Sequence, residues 1–198
     1  MLYKVRRALH MPERGGQVVQ PYIIENKPPV HTVTLWFEIE SEIDVTGAYL
    51  ALEDADVSVI TLNGAPVKDA ADGNFVDIAI QKVPLPAIKK GKNILTVTQP
   101  FGERTNTEAM YLLGDFGVRV VGAKKTIIPE PAALQFGDLA AQGYPFYGGA
   151  MEYTFDAVAT NGSLRLRASL YRGGLLNVRC DGKDAGAIIY PPYTLQIN

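Results

Sequence analysis

The sequence predicts an all-β chain of two consecutive antiparallel β-sandwiches, the second cut short. Three observations lead there. Apolar and polar residues alternate with period two in several short stretches, as half-buried strands require. Two Asx-Gly pairs, Asn63-Gly64 and Asp181-Gly182, close such stretches and suit two-residue hairpin turns. The 19 glycines and 13 prolines punctuate 198 residues densely enough to favour short strands over long helices.

Taken in order, residues 3–9 and 18–24 are strand-like and read as an N-terminal hairpin. Residues 32–40 alternate cleanly: Val33, Leu35, Phe37 and Ile39 share one face, with Thr34, Trp36, Glu38 and Glu40 opposite. Strands are expected at 48–53 and at 57–62, the latter running into Asn63-Gly64. Residues 75–80 alternate again, and a turn carrying Gly91 delivers the chain into a β-branched strand at 94–99. Strands at 111–113 and 117–121 close the first unit, 1–121, and residues 122–131 read as a linker. Residues 132–141 hold helix formers, but Gly137 in their middle limits them to a turn or two.

The second unit, 132–198, repeats the order of the first. Strands at 151–155, 164–170 and 176–180 precede Asp181-Gly182, and 187–190 and 193–197 follow. No counterpart of the 94–99 strand comes after them. The chain is therefore expected to be a fragment or to borrow its missing strands. Ile188, Ile189, Tyr190 and Leu195 would then border an open edge, a template for self-association.

Composition narrows the function. With 19 Lys and Arg against 21 Asp and Glu the net charge is −2, so no basic surplus points to nucleic acid or a membrane surface. Lys4, Arg6 and Arg7 are not followed by the apolar run of a signal peptide, and no stretch suits a transmembrane helix, which leaves the compartment open. The single cysteine, Cys180, has no internal disulfide partner, and two histidines cannot build a His-rich metal centre. A nucleophile elbow, a phosphate loop and a Cys-x-x-Cys pair are all missing.

Specific phrases add a resemblance. The hairpin Asn63-Gly64-Ala65-Pro66-Val67 and the run from Leu85 through Lys90-Gly91-Lys92-Asn93 to Leu95 resemble galactose-binding-like jelly rolls attached to bacterial glycoside hydrolases. Tyr111-Leu112-Leu113-Gly114-Asp115-Phe116-Gly117 and Gly143-Tyr144-Pro145-Phe146-Tyr147-Gly148-Gly149 are similar to the C-terminal regions of such enzymes, the α-L-rhamnosidase type being nearest. The stretch from Val178 to Gly186, followed by Pro191-Pro192, is similar to a second such domain. The resemblance implies two jelly rolls and a non-catalytic accessory module. Such a module binds carbohydrate or braces the catalytic domain of a parent hydrolase, whose catalytic acids lie elsewhere. A purely structural β-sandwich is the alternative, and a stand-alone glycosidase is disfavoured because no convergent acid pair with a supporting histidine is visible.

Candidate site residues follow from chemistry. Sugars are held by planar polar side chains that pair with hydroxyls and by an aromatic beneath the apolar ring face. Glu103, Arg104, Asn106 and Glu108 form the most polar loop between strong strands, and Arg172 precedes Gly173-Gly174. Trp36 is a stacking candidate, although packing beneath the N-terminal segment is its plainer reading. Tyr144, Phe146 and Tyr147 either line a site or plug the end of the second sandwich. No cofactor is expected. Glu53, Asp54 and Asp56 could hold a structural calcium ion, and the 68–74 loop has cation-loop content, with a solvated turn the plainer reading of each.

Overall fold

The computed structural model describes residues 1–13, 27–107, 110–159, 161–169 and 171–197. The strand expected at 18–24 lies outside them. The chain is mostly strand and divides into two compact units, Met1–Gly148 and Gly149–Asn198.

In the first unit β1 (His31–Ser41), β3 (Val59–Leu62), β4 (Ala65–Pro66), β7 (Gly91–Phe101), β9 (Gly117–Val121) and β10 (Lys124–Ile128) form a six-stranded sheet in the order β4-β3-β7-β1-β10-β9. A four-stranded sheet, β5-β6-β2-β8, holds β2 (Tyr49–Leu52), β5 (Asn74–Phe75), β6 (Asp77–Pro84) and β8 (Met110–Leu113). One apolar cluster joins the two sheets. Leu50 and Leu52 of β2 and Val83 of β6 pack with Ile60, Leu62, Leu95, Val97 and Ile127 of the larger sheet. That arrangement is β-sandwich-like.

The alternation in β1 and β7 sets this burial. The two strands pair antiparallel along their whole length, with Leu35 opposite Val97 and Phe37 opposite Leu95 on the core side. Trp36 opposite Thr96 and Thr34 opposite Thr98 fall on the outer side. Asn63 (φ 52°) and Gly64 (φ 79°) make the left-handed turn that joins β3 to β4. The Asn63 side chain also reaches the turn before β7: its Nδ2 donates to Asn93 Oδ1 at 2.9 Å, and Ile94 N–H donates to its Oδ1 at 2.8 Å. Asn93, fully buried, closes that turn by accepting from Lys89 N–H and donating to Lys89 O and Gly91 O.

Several expectations are corrected. Residues 3–9 are not a strand: Leu2–Ala8 form a helix, α1, whose buried side chains are Leu2 and Arg6, one turn apart. The pairing is not antiparallel throughout, because β10 lies parallel to β1, with Glu40 opposite Thr126. Residues 122–131 therefore contain a sheet strand rather than a linker, and the first unit continues beyond residue 121. Val57 belongs to a short 3-10 turn, Ala55–Val57, ahead of β3. Val76, at φ 65°, makes the tight turn into β6, so that it and Ile78 are exposed while Ile80 is buried. The helix formers at 132–141 give only the 3-10 turn Ala140–Gln142.

In the second unit β11 (Leu164–Arg167) pairs with β14 (Thr194–Ile197), and β12 (Leu176–Cys180) pairs with β13 (Lys183–Ile188). Asp181 (φ 50°) and Gly182 (φ 77°) form the turn between β12 and β13, as at Asn63-Gly64. The Leu195 side chain lies against Gly186, at 3.4 Å from where a Cβ would stand. Residues 151–155 form no strand: their side chains alternate, but no partner ladder runs beside them among the described residues.

Candidate functional site

The outer surface of the six-stranded sheet is the most distinctive exposed face. Register arranges it in rows. Val59, Thr98 and Thr34 form one row, and Thr61, Thr96 and Trp36 form the next. Ile94 and Glu38 follow, then Lys92 and Glu40. The indole of Trp36 is 72% exposed. Strand alternation points it outward, and no described residue of the N-terminal segment buries it.

The hydroxyls on this face are organised. Thr34 and Thr98 share a hydrogen bond of 2.9 Å, and Thr61 and Thr96 share one of 2.7 Å. One hydroxyl of each pair must donate, which leaves the other with a free O–H and each with lone pairs toward solvent. The charges are organised too. Lys92 Nζ is 2.6 Å from Glu38 Oε2 and Lys124 Nζ is 4.0 Å from Glu40 Oε2, while Arg119 binds Glu42. The Arg119 hydrogen bond holds the Glu42 carboxyl below its usual value, and Glu42 raises Arg119 in turn.

The polar loop after β7 behaves differently. Arg6 of α1, 1% exposed, donates through Nη2 to Glu103 Oε2 at 2.6 Å and through Nε to Pro12 O at 2.7 Å. Asn106 Nδ2 donates to Glu53 Oε1 at 3.1 Å, and Thr105 Oγ1 accepts from Gly102 N–H at 2.9 Å. Glu103 and Asn106 thus fasten the loop to α1 and to the end of β2. Arg104 is exposed, and Glu108 lies outside the described residues. This loop follows Phe101, which pairs with His31, five residues along β1 from Trp36. At about 3.4 Å per residue that is roughly 17 Å, so the structure does not bring Trp36 and the loop together. Arg172 is exposed in the second unit.

Other candidates separate in the same way. Among the described residues no three His, Cys, Asp or Glu side chains converge as a metal site requires. Asp54 is spent on a left-handed turn, at φ 55°. Tyr144 donates to Glu130 Oε1 at 3.0 Å; partial burial, reinforced by that bond, pushes its phenol up. Its ring packs edge-on against Tyr147, while Phe146 stays 68% exposed and plugs nothing.

Two features escaped the sequence reading. The Thr34–Thr98 pair was foreshadowed by Thr32-Val33-Thr34 and Thr96-Val97-Thr98, but only the register shows that these two face each other and that Thr61 of β3 faces Thr96. Arg6 carried no signal, since a basic residue in a short polar segment is ordinarily solvated. Comparison with known proteins gives no match to a family model, to a curated protein or to a solved structure.

Proposed function

We propose that this chain is a non-catalytic, carbohydrate-binding accessory module of a carbohydrate-active enzyme. Its first unit would be a galactose-binding-like jelly roll and its second a further domain of the same type. The observation that carries the reading is Trp36, 72% exposed on the outer face of the six-stranded sheet, with a threonine hydroxyl pair one row before it and an ion pair one row after. An exposed indole offers a broad apolar surface to the C–H face of a sugar ring, and the neighbouring hydroxyls and charges match sugar hydroxyls as donors and acceptors. The phrases that resemble those of glycoside-hydrolase modules support the same reading.

The test is calorimetric titration of the full chain with neutral and acidic oligo- and polysaccharides, in parallel with Trp36→Ala. Heat from at least one glycan, with affinity at least tenfold lower in the variant (about 1.4 kcal/mol), is the expected result. The outward indole makes few packing contacts, so the variant should keep its stability to within about 0.5 kcal/mol. No heat from any glycan would leave the chain as a purely structural sandwich or a brace for a catalytic domain.

A further inference from the structure

We infer that the Trp36 face takes an internal stretch of an uncharged polysaccharide, laid along the strands, in preference to a single sugar, a chain end or a polyuronate. This rests on the carbohydrate reading above and adds to it the length and the charge of the ligand.

The shape of the face addresses length. Sites that select a free sugar or a chain terminus are concave and enclose most of the ligand's surface. Here the side chains around the indole, Thr34, Glu38, Thr96 and Thr98, stand on the same pleated surface as Trp36 itself. An indole left 72% exposed is not enclosed by the described side chains around it. Such a platform covers one side of one sugar and gains little from it, so useful affinity must be summed over neighbouring units tethered in one chain. The polar groups are spaced for this. Residues on one strand face recur about every 6.8 Å. The Thr34–Thr98 hydroxyl pair stands one row before Trp36, and Glu38, paired with Lys92, stands one row after. A chain running along β1 and β7 meets hydrogen-bonding groups on both sides of the stacked unit.

The charge of the face addresses composition. The cations on or beside it, Lys92, Lys124 and Arg119, are bound by Glu38, Glu40 and Glu42 respectively. Each pair is neutral. A polyuronate gains less from cations already paired and brings its own carboxylates beside Glu38, Glu40 and Glu42, whereas the hydroxyls of a neutral chain can bond to the pairs as they stand.

Affinity electrophoresis and calorimetry of the full chain with neutral galactan and glucomannan, their component monosaccharides and polygalacturonate test the inference. Trp36→Ala serves as the site control, with circular dichroism to verify its fold. The expected result is binding to a neutral polymer, no heat from monosaccharides at millimolar concentration, at least tenfold weaker binding of polygalacturonate, and loss of polymer binding in Trp36→Ala. Monosaccharide affinity equal to that of the polymer, or preference for polygalacturonate, each abolished by Trp36→Ala, would overturn the inference and leave the carbohydrate reading standing. Polymer binding unchanged in a folded Trp36→Ala chain would overturn the assignment to this face. No binding to any glycan would overturn both, as would self-association in light scattering that Trp36→Ala abolishes, since the face would then pair two copies of the chain.

Discussion

The two units use the same local devices to different effect. Asn63-Gly64 and Asp181-Gly182 adopt the same left-handed turn, and each sets an antiparallel register. In the first unit the paired strands stack two sheets on a shared cluster, and residues such as Ala51, Leu52, Ile88 and Val97 are sealed from solvent. In the second, Ile188 is the one buried apolar residue among those described, while Phe155, Val158, Leu175, Ile189 and Tyr190 are exposed. Hydrogen-bonded ladders are therefore separable from a core. Pairing exchanges water for backbone partners at modest net gain, whereas burial removes apolar area from water and supplies most of the stability.

The largest test of that contrast is deletion of side chains of equal chemistry. Leu52→Ala, at a site with no exposure, should destabilise the first unit by about 3 kcal/mol in denaturant titration. Leu195→Ala, at a half-buried site in β14, should cost less than about 1 kcal/mol, and hydrogen exchange should show β11–β14 opening before β1 and β7. Equal costs, or equal protection, would break the comparison.

Ion pairs sharpen it at smaller magnitude. Glu103→Ala strands the Arg6 guanidinium in the interior with Pro12 O, and its Nη1 already lacks a hydrogen-bond partner among the described residues. A loss of about 2 kcal/mol is expected, below the full cost of opening a buried pair because Glu103 is itself 36% exposed. Glu152→Ala, which opens the Arg179–Glu152 pair of the second unit, exposed at 65% and 75%, should change stability by less than about 0.5 kcal/mol. Thermal melts of the two variants decide it.

The smallest effect is that of acid. In the first unit Arg119 depresses the Glu42 carboxyl below its ordinary 4.5, and the hydrogen bond from Lys90 N–H depresses Asp44 below 3.8. Each is lower folded than unfolded, so its contribution is complete above the unfolded value and disappears as pH falls through the folded one. Stability of the first unit should therefore decline below about pH 4.5, and Glu42→Gln with Asp44→Asn should shallow that slope in melts recorded from pH 7 downward. An unchanged slope would show that these exposed carboxyls add nothing measurable.

What was legible follows the same division between local and distant causes. Alternation announced β1, a β-branched run after the Gly91 turn announced β7, and Asx-Gly announced both hairpins, because period, propensity and turn chemistry act within a few residues. Helix α1 was not legible: it is about two turns long, and the stripe of Leu2, Val5, Arg6 and Leu9 is interrupted by an arginine, which reads as a solvent-facing residue. Nor was the place of β10, whose partner β1 lies far back in the chain. Glu103 and Asn106 have side chains that suit a sugar, but the same chemistry suits Arg6 and Glu53, and no local rule decides between an internal and an external partner. Trp36 was correctly assigned to the polar face of its strand; whether anything lay over it was a tertiary question.

The parallel placement of β10 against β1 also bears on how the chain is made. Ser41 acquires its neighbour on the β10 side only when Ile127 exists. At about 5–20 residues per second, a ribosome takes on the order of ten seconds to travel between them. For that interval the far end of β1 has no strand on its β10 side, and the sheet cannot be finished from the N-terminus onward. Contacts this distant in sequence also place folding among the slow β topologies, in milliseconds to seconds. Nascent chains stalled between Ser41 and Ile127 should accordingly be the ones that chaperones hold and that aggregate when chaperones are withdrawn.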